Sequence, residues 1–244
     1  MKNLPIVKIA EWLDKVLEVS AFDDVSNNGL QLANESGETP AVAFAVDASV
    51  ESVKRAAAAG AKLLVVHHGF SWGGGIRRLT GGIYNVVKAA MDADLAIYAC
   101  HLPLDASKVC GNNWEIARAL ELTGIKKAFS YHGNVIGLTG KLKDVKKIAE
   151  LFPQLSEELK SVQKGRAIKL GVCSGGAGDF AEAAQKLGCD LYLTGEASWG
   201  DVVGAKNVGI KMLCAGHYET EVFGVRALAK MMSAEIKIKT IDIT

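Results

Sequence analysis

Six short apolar runs, separated by alanine-rich stretches of helical periodicity, set the tightest limit on how this chain folds. The runs are AVAFAV (41–46), KLLVVHH (62–68), LAIYACH (95–101), IKLGVCS (168–174), CDLYLTG (189–195) and GIKMLCAG (209–216). Between or after them lie VESVKRAAAAGA, GIYNVVKAAMDA, NNWEIARALELTG, DFAEAAQKLG and ETEVFGVRALAKMMS. Buried strands alternating with helices predict an α/β protein whose mostly parallel sheets are covered by helices. The segments 135–142 and 234–244 fit this rhythm less well. The polar, lysine-rich stretch 143–166 predicts an exposed helical connection or helix pair. With 49% of its 244 residues hydrophobic, the chain can fill one large core or two small ones.

Charge excludes some partners. Lys and Arg number 28 against 27 Asp and Glu, so no net field favours nucleic acid or an acidic membrane surface. In the N-terminal stretch, Lys8, Glu11, Asp14 and Lys15 break any apolar run, while Ile6, Ile9, Leu13, Val16 and Leu17 share one helical face. This pattern predicts an amphipathic helix rather than a signal peptide, and no segment is apolar for long enough to span a bilayer. Five cysteines without a C-x-x-C pair predict reduced, mostly buried thiols in a cytoplasmic setting.

The chain also echoes itself. A shift of 128 residues lays 45–69 over 173–197 without a gap, matching Gly60 to Gly188 and His68 to Glu196. The next strand of each half ends in ACHLPLD and AGHYETE, each with a carboxylate four residues after a histidine. Common ancestry of the halves and the βα rhythm alone both account for this.

In parallel sheets, functional groups gather beyond the carboxyl ends of the strands. Four such ends are polar here: His67–His68, His101 to Asp105, Thr194–Gly195–Glu196 and His217 to Glu221. Four of the five histidines therefore fall where a site would form, and His132 is expected to be structural or at the surface. Adjacent strand residues point to opposite sides, so His67 and His68 suit two nearby ions, or one ligand and one core residue, better than a shared ion. His217 and Glu221, spaced i, i+4, reach one ion or ion pair if a helix begins near the histidine. Asp105 adds a carboxylate able to bridge. Imidazole with carboxylate fits zinc, iron(II), manganese or nickel. Each histidine taken singly is equally well explained as a hydrogen-bonded structural residue; the coincidence of four at strand ends favours a metal site.

The segments SNNGLQ (26–31), HHGFSW (67–72), HLPLDA (101–106), LTGE (193–196) and GHYETE (216–221) resemble the signature of the NIF-three-like family, the GTP cyclohydrolase I type 2 homologues. The resemblance spans most of the chain in order. It implies two interlinked α/β domains, set here at 1–126 completed by 217–244, and 127–216. It implies a dinuclear centre of two divalent ions per chain on His67, His68, Asp105, His217 and Glu221, with Asp105 and Glu221 bridging. A ring-shaped homohexamer is implied too. In its sharpest form the implied activity is a hydrolase in which metal-activated water opens the imidazole ring of GTP at C8; phosphoesters and damaged nucleotides suit the same ligands. His101 and Glu196 are candidates for proton transfer or for orienting a ligand, and His101 equally for completing the coordination sphere. Where many relatives have proline after the doublet, this chain has Gly69, which is expected to loosen the loop 69–82. The long inserted domain of some larger relatives is lacking.

In that loop, Trp72, Arg77 and Arg78 suit a flap that meets a nucleotide, or an ordinary solvent loop. CSGGAGDF (173–180) suits an anion-holding turn or a plain βα turn without the P-loop lysine. SNNGLQ suits a turn, with polar side chains able to line a cavity. The rival to the enzyme is a non-catalytic metal-binding interaction or regulatory protein that forms a ring. A small-molecule substrate, such as a nucleotide, separates the two.

Overall fold

A computed structural model describes residues 3–162 and 167–244, in two compact units: Met1–Cys110 with Gly224–Thr244, and Gly111–Phe223. The sequence-based reading of a helical connection over 143–166 extends onto residues 163–166, which lie outside the described residues.

The first unit opens with β1 (Leu4–Pro5) and α1 (Ile6–Val16), which buries Ile6, Ile9 and Leu13 as its periodicity requires. After β2 (Gly29–Leu32) and β3 (Glu38–Thr39) come β4 (Ala41–Asp47), α2 (Val50–Ala58), β5 (Leu63–His68), α3 (Gly81–Asp92), β6 (Ala96–Ala99) and the short α4 (Leu102–Ala106). A reciprocal capping box starts α2, Ser49 accepting from the Ser52 amide while the Ser52 hydroxyl accepts from that of Ser49. Alternate residues of the strands, Ala43, Ala45, Leu64, Val66, Ile97 and Ala99, pack with Val53 and Ala56 of α2 and Val86, Val87 and Ala90 of α3.

The second unit holds α5 (Asn112–Ala119), β7 (Thr123–Tyr131), β8 (Asn134–Leu142), α6 (Lys146–Leu151), α7 (Ser156–Leu159), β9 (Ile168–Cys173), α8 (Ala181–Lys186), β10 (Leu191–Thr194), α9 (Trp199–Asn207) and β11 (Lys211–Cys214). Ile116, Ala117 and Leu120 of α5 join Leu138, Leu170, Val172, Leu191 and Leu193 in one core. The first division between the units falls at 110/111, beside the 126/127 that the resemblance implied. The final helix α10 (His217–Ile236) carries the chain past the second division, at 223/224, and β12 (Lys239–Asp242) closes the chain.

The first unit's five-stranded sheet has the order β12-β4-β5-β6-β2, parallel except for β2. The second unit's order is β11-β10-β9-β8-β7, with β9 to β11 parallel and β7 to β9 antiparallel. The class is α/β. Among the described residues no helix is long and apolar enough to cross a membrane.

Three features escaped the sequence pattern. The antiparallel pair β7–β8 turns through Tyr131–Asn134, with positive φ at both His132 and Gly133, a tight hairpin that puts His132 on the surface. Glycines obscured the strand β8: a Cβ at Gly137 would lie 2.5 Å from the Phe129 ring and 2.7 Å from the Val172 carbonyl, so Phe129 lies where a side chain would project. Helix α9 carries Gly200 and Gly204, which hide its periodicity; its signal was the Ser198/Asp201 capping box.

The internal echo has a local cause. Gly60 and Gly188 have φ of +82° and +72° and end α2 and α8 with the same paired bonds, Gly60 N to Ala57 O with Ala61 N to Ala56 O, and Gly188 N to Gln185 O with Cys189 N to Ala184 O. Asp94 and Gly209 end α3 and α9 in the same way outside the echo's register. The helix-to-strand rhythm alone is therefore enough to produce the match.

Gly137→Ala is expected to destabilise the protein by about 1–3 kcal/mol, because ring and strand must both give way. A lower urea midpoint at unchanged m-value would show it.

Candidate functional site

Strand β5 lies between β4 and β6, with Asp47 opposite His68 and Val66 opposite Ala99. Parallel pairing thus delivers Asp47, the histidine doublet, Cys100 and His101 to one edge of the first unit's sheet. His67 is fully buried, and its Nδ1 lies 3.0 Å from the Cys100 carbonyl. A carbonyl only accepts, so Nδ1 carries a proton and Nε2 is the ring nitrogen turned away from that anchor. That Nε2 lies 3.6 Å from Oδ2 of the buried Asp105, beyond direct hydrogen-bonding distance. His68 Nδ1 lies 2.9 Å from Asp47 Oδ1.

His101 repeats the pattern, its Nδ1 2.9 Å from Asp24 Oδ1. Asp24 also accepts from the amides of Ser26 and Leu102 and from Asn28 Nδ2. Burial alone would raise its pKa; the bond and charge of His101, with the bonds from Asn28 and Ser26, hold it at about 2. Asn28 in turn accepts from the His101 amide.

One nitrogen from each of His67, His68 and His101 falls within a set spanning 4.8 Å, close enough to share an ion. Neighbouring strand residues were expected to suit two nearby ions better than a shared one, yet the two rings come close together. Alternation fixes only the Cβ directions, and the rings, drawn to acceptors on either side of β5, close to 4.5 Å between centroids. Asp24 and Asp47 were missed as partners of these rings. Asp47 was detectable as the polar residue ending an apolar strand.

In the second unit, α10 begins at His217, which places Glu221 one turn on: His217 Nε2 lies 3.1 Å from Glu221 Oε1, and His217 Nδ1 lies 2.9 Å from Glu196 Oε1. The Glu221 hydrogen bond, offset by burial and reinforced by Glu196, raises the His217 pKa to about 9. Glu221 is buried, whereas Glu196 is exposed.

Three amides of the turn after β9 find their acceptors within the fold. The Gly175 amide donates to Thr220 Oγ1, that of Ser174 to Asn113 Oδ1 and that of Ala177 to Thr194 Oγ1. Gly175, at φ +68°, leaves room for Glu221: an added Cβ would lie 2.4 Å from Glu221 Oε1.

The loop after the doublet is also tighter than Gly69 led us to expect. Gln31 Oε1 accepts from the amides of Phe70 and Ser71, and its Nε2 donates to the carbonyls of Asn27 and Ser71. The Gly73 amide donates to the Val25 carbonyl at 2.7 Å. A side chain at residue 69 would begin 2.2–2.5 Å from the Gln31 amide, so glycine is what lets Gln31 fasten the loop.

The family model for Duf34/NIF3 (NGG1p interacting factor 3) matches residues 5–244. The chain belongs to the Duf34/NIF3 family. Relatives named GTP cyclohydrolase 1 type 2 homolog include one from Deinococcus radiodurans, 40% identical over 95% of this chain and 89% of the relative, and one from Pyrococcus horikoshii, 36% identical over 97% and 96%. Among solved structures, reduced HcgD from Methanocaldococcus jannaschii superposes with a TM-score of 0.83 at 25% identity, over 100% of this chain and 99% of that one. TTHA1606 from Thermus thermophilus gives 0.81 at 26%, over 99% and 98%. This Duf34/NIF3 chain therefore carries clustered imidazoles and carboxylates that can hold a metal ion.

Carboxylates that fix an imidazole through Nδ1 typically govern how well Nε2 binds metal. Asp47→Asn, Asp24→Asn and Glu196→Gln are each expected to weaken divalent-metal affinity about 10–100-fold. Competition against a chromogenic chelator measures this without any enzyme assay.

Proposed function

We propose that the protein is a dinuclear metal-dependent hydrolase acting on a nucleotide-like substrate, with His67, His68, Asp105, His217 and Glu221 as the ligands of two divalent ions. One observation carries the reading: the buried His67 is tied through Nδ1 to a backbone carbonyl, which turns its Nε2 toward the carboxylate of the buried Asp105. His68, His101 and His217 are anchored in turn, each with Nδ1 on a carboxylate, which packing alone does not require. The donors, imidazole and carboxylate, fit zinc, iron(II), manganese or nickel.

Bound divalent ions would polarise the substrate and lower the pKa of water at neutral pH. The chain's own residues do the rest. Asp47, Asp24 and Glu196 hold the imidazoles in a fixed direction. Asp105 and Glu221 bring carboxylate charge to balance the cations. Glu196, exposed beside His217, accepts a proton and returns it; His101 either shares that task or adds a further ligand. The name shared by the curated relatives makes GTP the first substrate to try.

The family description, an interacting factor, favours a second reading in which the ions organise a ring-shaped homo-oligomer, a hexamer, for partner docking without turnover.

Elemental analysis of anaerobically purified protein is expected to find two ions per chain, with GTP turnover followed by loss of purine absorbance. His68→Ala and Asp105→Ala are expected to abolish turnover while the assembled mass, six times the 25.8 kDa chain, is retained. Full metal occupancy without turnover across a broad nucleotide panel would sink the hydrolase and favour the interaction reading. A wild-type protein that takes up no metal would sink both.

A further inference from the structure

Trp72 follows the histidine doublet and touches two of the candidate ligands. Its ring meets His101 edge-on, at 5.2 Å between centroids and 73°, and His68 at 6.0 Å and 41°. The indole Nε1 donates to the Gly69 carbonyl at 2.9 Å. The backbone at Trp72 bridges to Ser26, and Gln31 fastens the two residues before it. The ring is thus fixed by bonds within the fold, yet 38% of the residue stays exposed. Burying the rest of a large aromatic would be favourable, so its partly outward hold runs against simple burial.

Cationic groups follow in the same loop. Arg77 folds back so that its Nη2 lies 3.7 Å from where a side chain at Gly74 would begin. Gly73, Gly74, Gly75 and the exposed Ile76 are the residues that separate Trp72 from Arg77 in the chain. Among the described residues no carboxylate pairs with Arg77 or Arg78.

We propose that Trp72 is a stacking platform for the planar ring of an anionic substrate, with Arg77 taking its negative charge. The substrate class is then a heteroaromatic phosphate of the nucleoside monophosphate kind, rather than a sugar phosphate or simple phosphoester. This rests on the hydrolase reading of the same histidines and selects among its substrates. An indole face accepts any planar base, and a guanidinium pairs with phosphate through two parallel hydrogen bonds.

The test uses full-length protein labelled with 5-fluorotryptophan, metal-free and metal-loaded, titrated with guanosine monophosphate and with ribose 5-phosphate. Of the four tryptophan signals, that of Trp72 is identified by its absence in Trp72→Phe. It is expected to move saturably with the nucleotide and stay still with the sugar phosphate. Trp72→Leu should weaken nucleotide binding roughly tenfold or more, and Trp72→Phe by only about threefold, with metal content unchanged. Arg77→Ala should weaken both probes alike. A Trp72 signal that stays still during the nucleotide titration, with or without binding, overturns the proposal; so does unchanged affinity in Trp72→Leu. Failure to load metal would instead sink the hydrolase reading and leave the metal-free titration to decide the stacking.

Discussion

The parallel register of β4, β5 and β6 is the constraint on which the first unit's chemistry depends. Strands running the same way end at the same edge, so a carboxylate, two imidazoles and a carbonyl carried by three strands meet without any long-range design of the loops. A slip of one residue in β5 would turn His67 out of the core and bring Val66 to its place. The buried imidazole is tolerated because the Cys100 carbonyl accepts from it; an imidazole buried without a partner would cost about 1–3 kcal/mol.

The second unit reaches a comparable end by other means. There the strand termini are extended by backbone bonds: Gly195 and Glu196 donate to the Gly175 carbonyl, Ala215 to Thr194 and Gly216 to Gly195. These fix the start of α10, and the helical repeat then sets Glu221 against His217. Thr220, between them in sequence, accepts from Gly175 and donates back to the first turn of the helix, so the glycine turn and the helix hold one another. Small residues are needed in the turn because the carboxylate occupies the volume a side chain would take.

Much of this was legible in the residues. The six apolar runs are strands, the five alanine-rich stretches contain helices, and the polar residues at strand ends are the ones that cluster within each unit. What was missed shares a physical origin. Strand β8 and helix α9 carry glycines where pattern reading looks for apolar side chains, and in β8 those gaps are filled by residues distant in sequence, Phe129 over Gly137 and Leu122 beside Gly140. Asp24 was invisible as a partner of His101 because 77 residues separate them. The expected looseness at Gly69 failed for the same reason, since Gln31 arrives from another strand.

Local composition fixed the element types, the class and the residues able to do chemistry, because periodicity, capping and donor type are properties of short stretches. Tertiary structure alone decided which nitrogen of each histidine faces outward from its anchor, which carboxylate anchors it, and how tightly the loop bearing Trp72 is fastened. Those depend on which chain segments become neighbours, and a linear sequence specifies neighbours only through the packing of the whole unit.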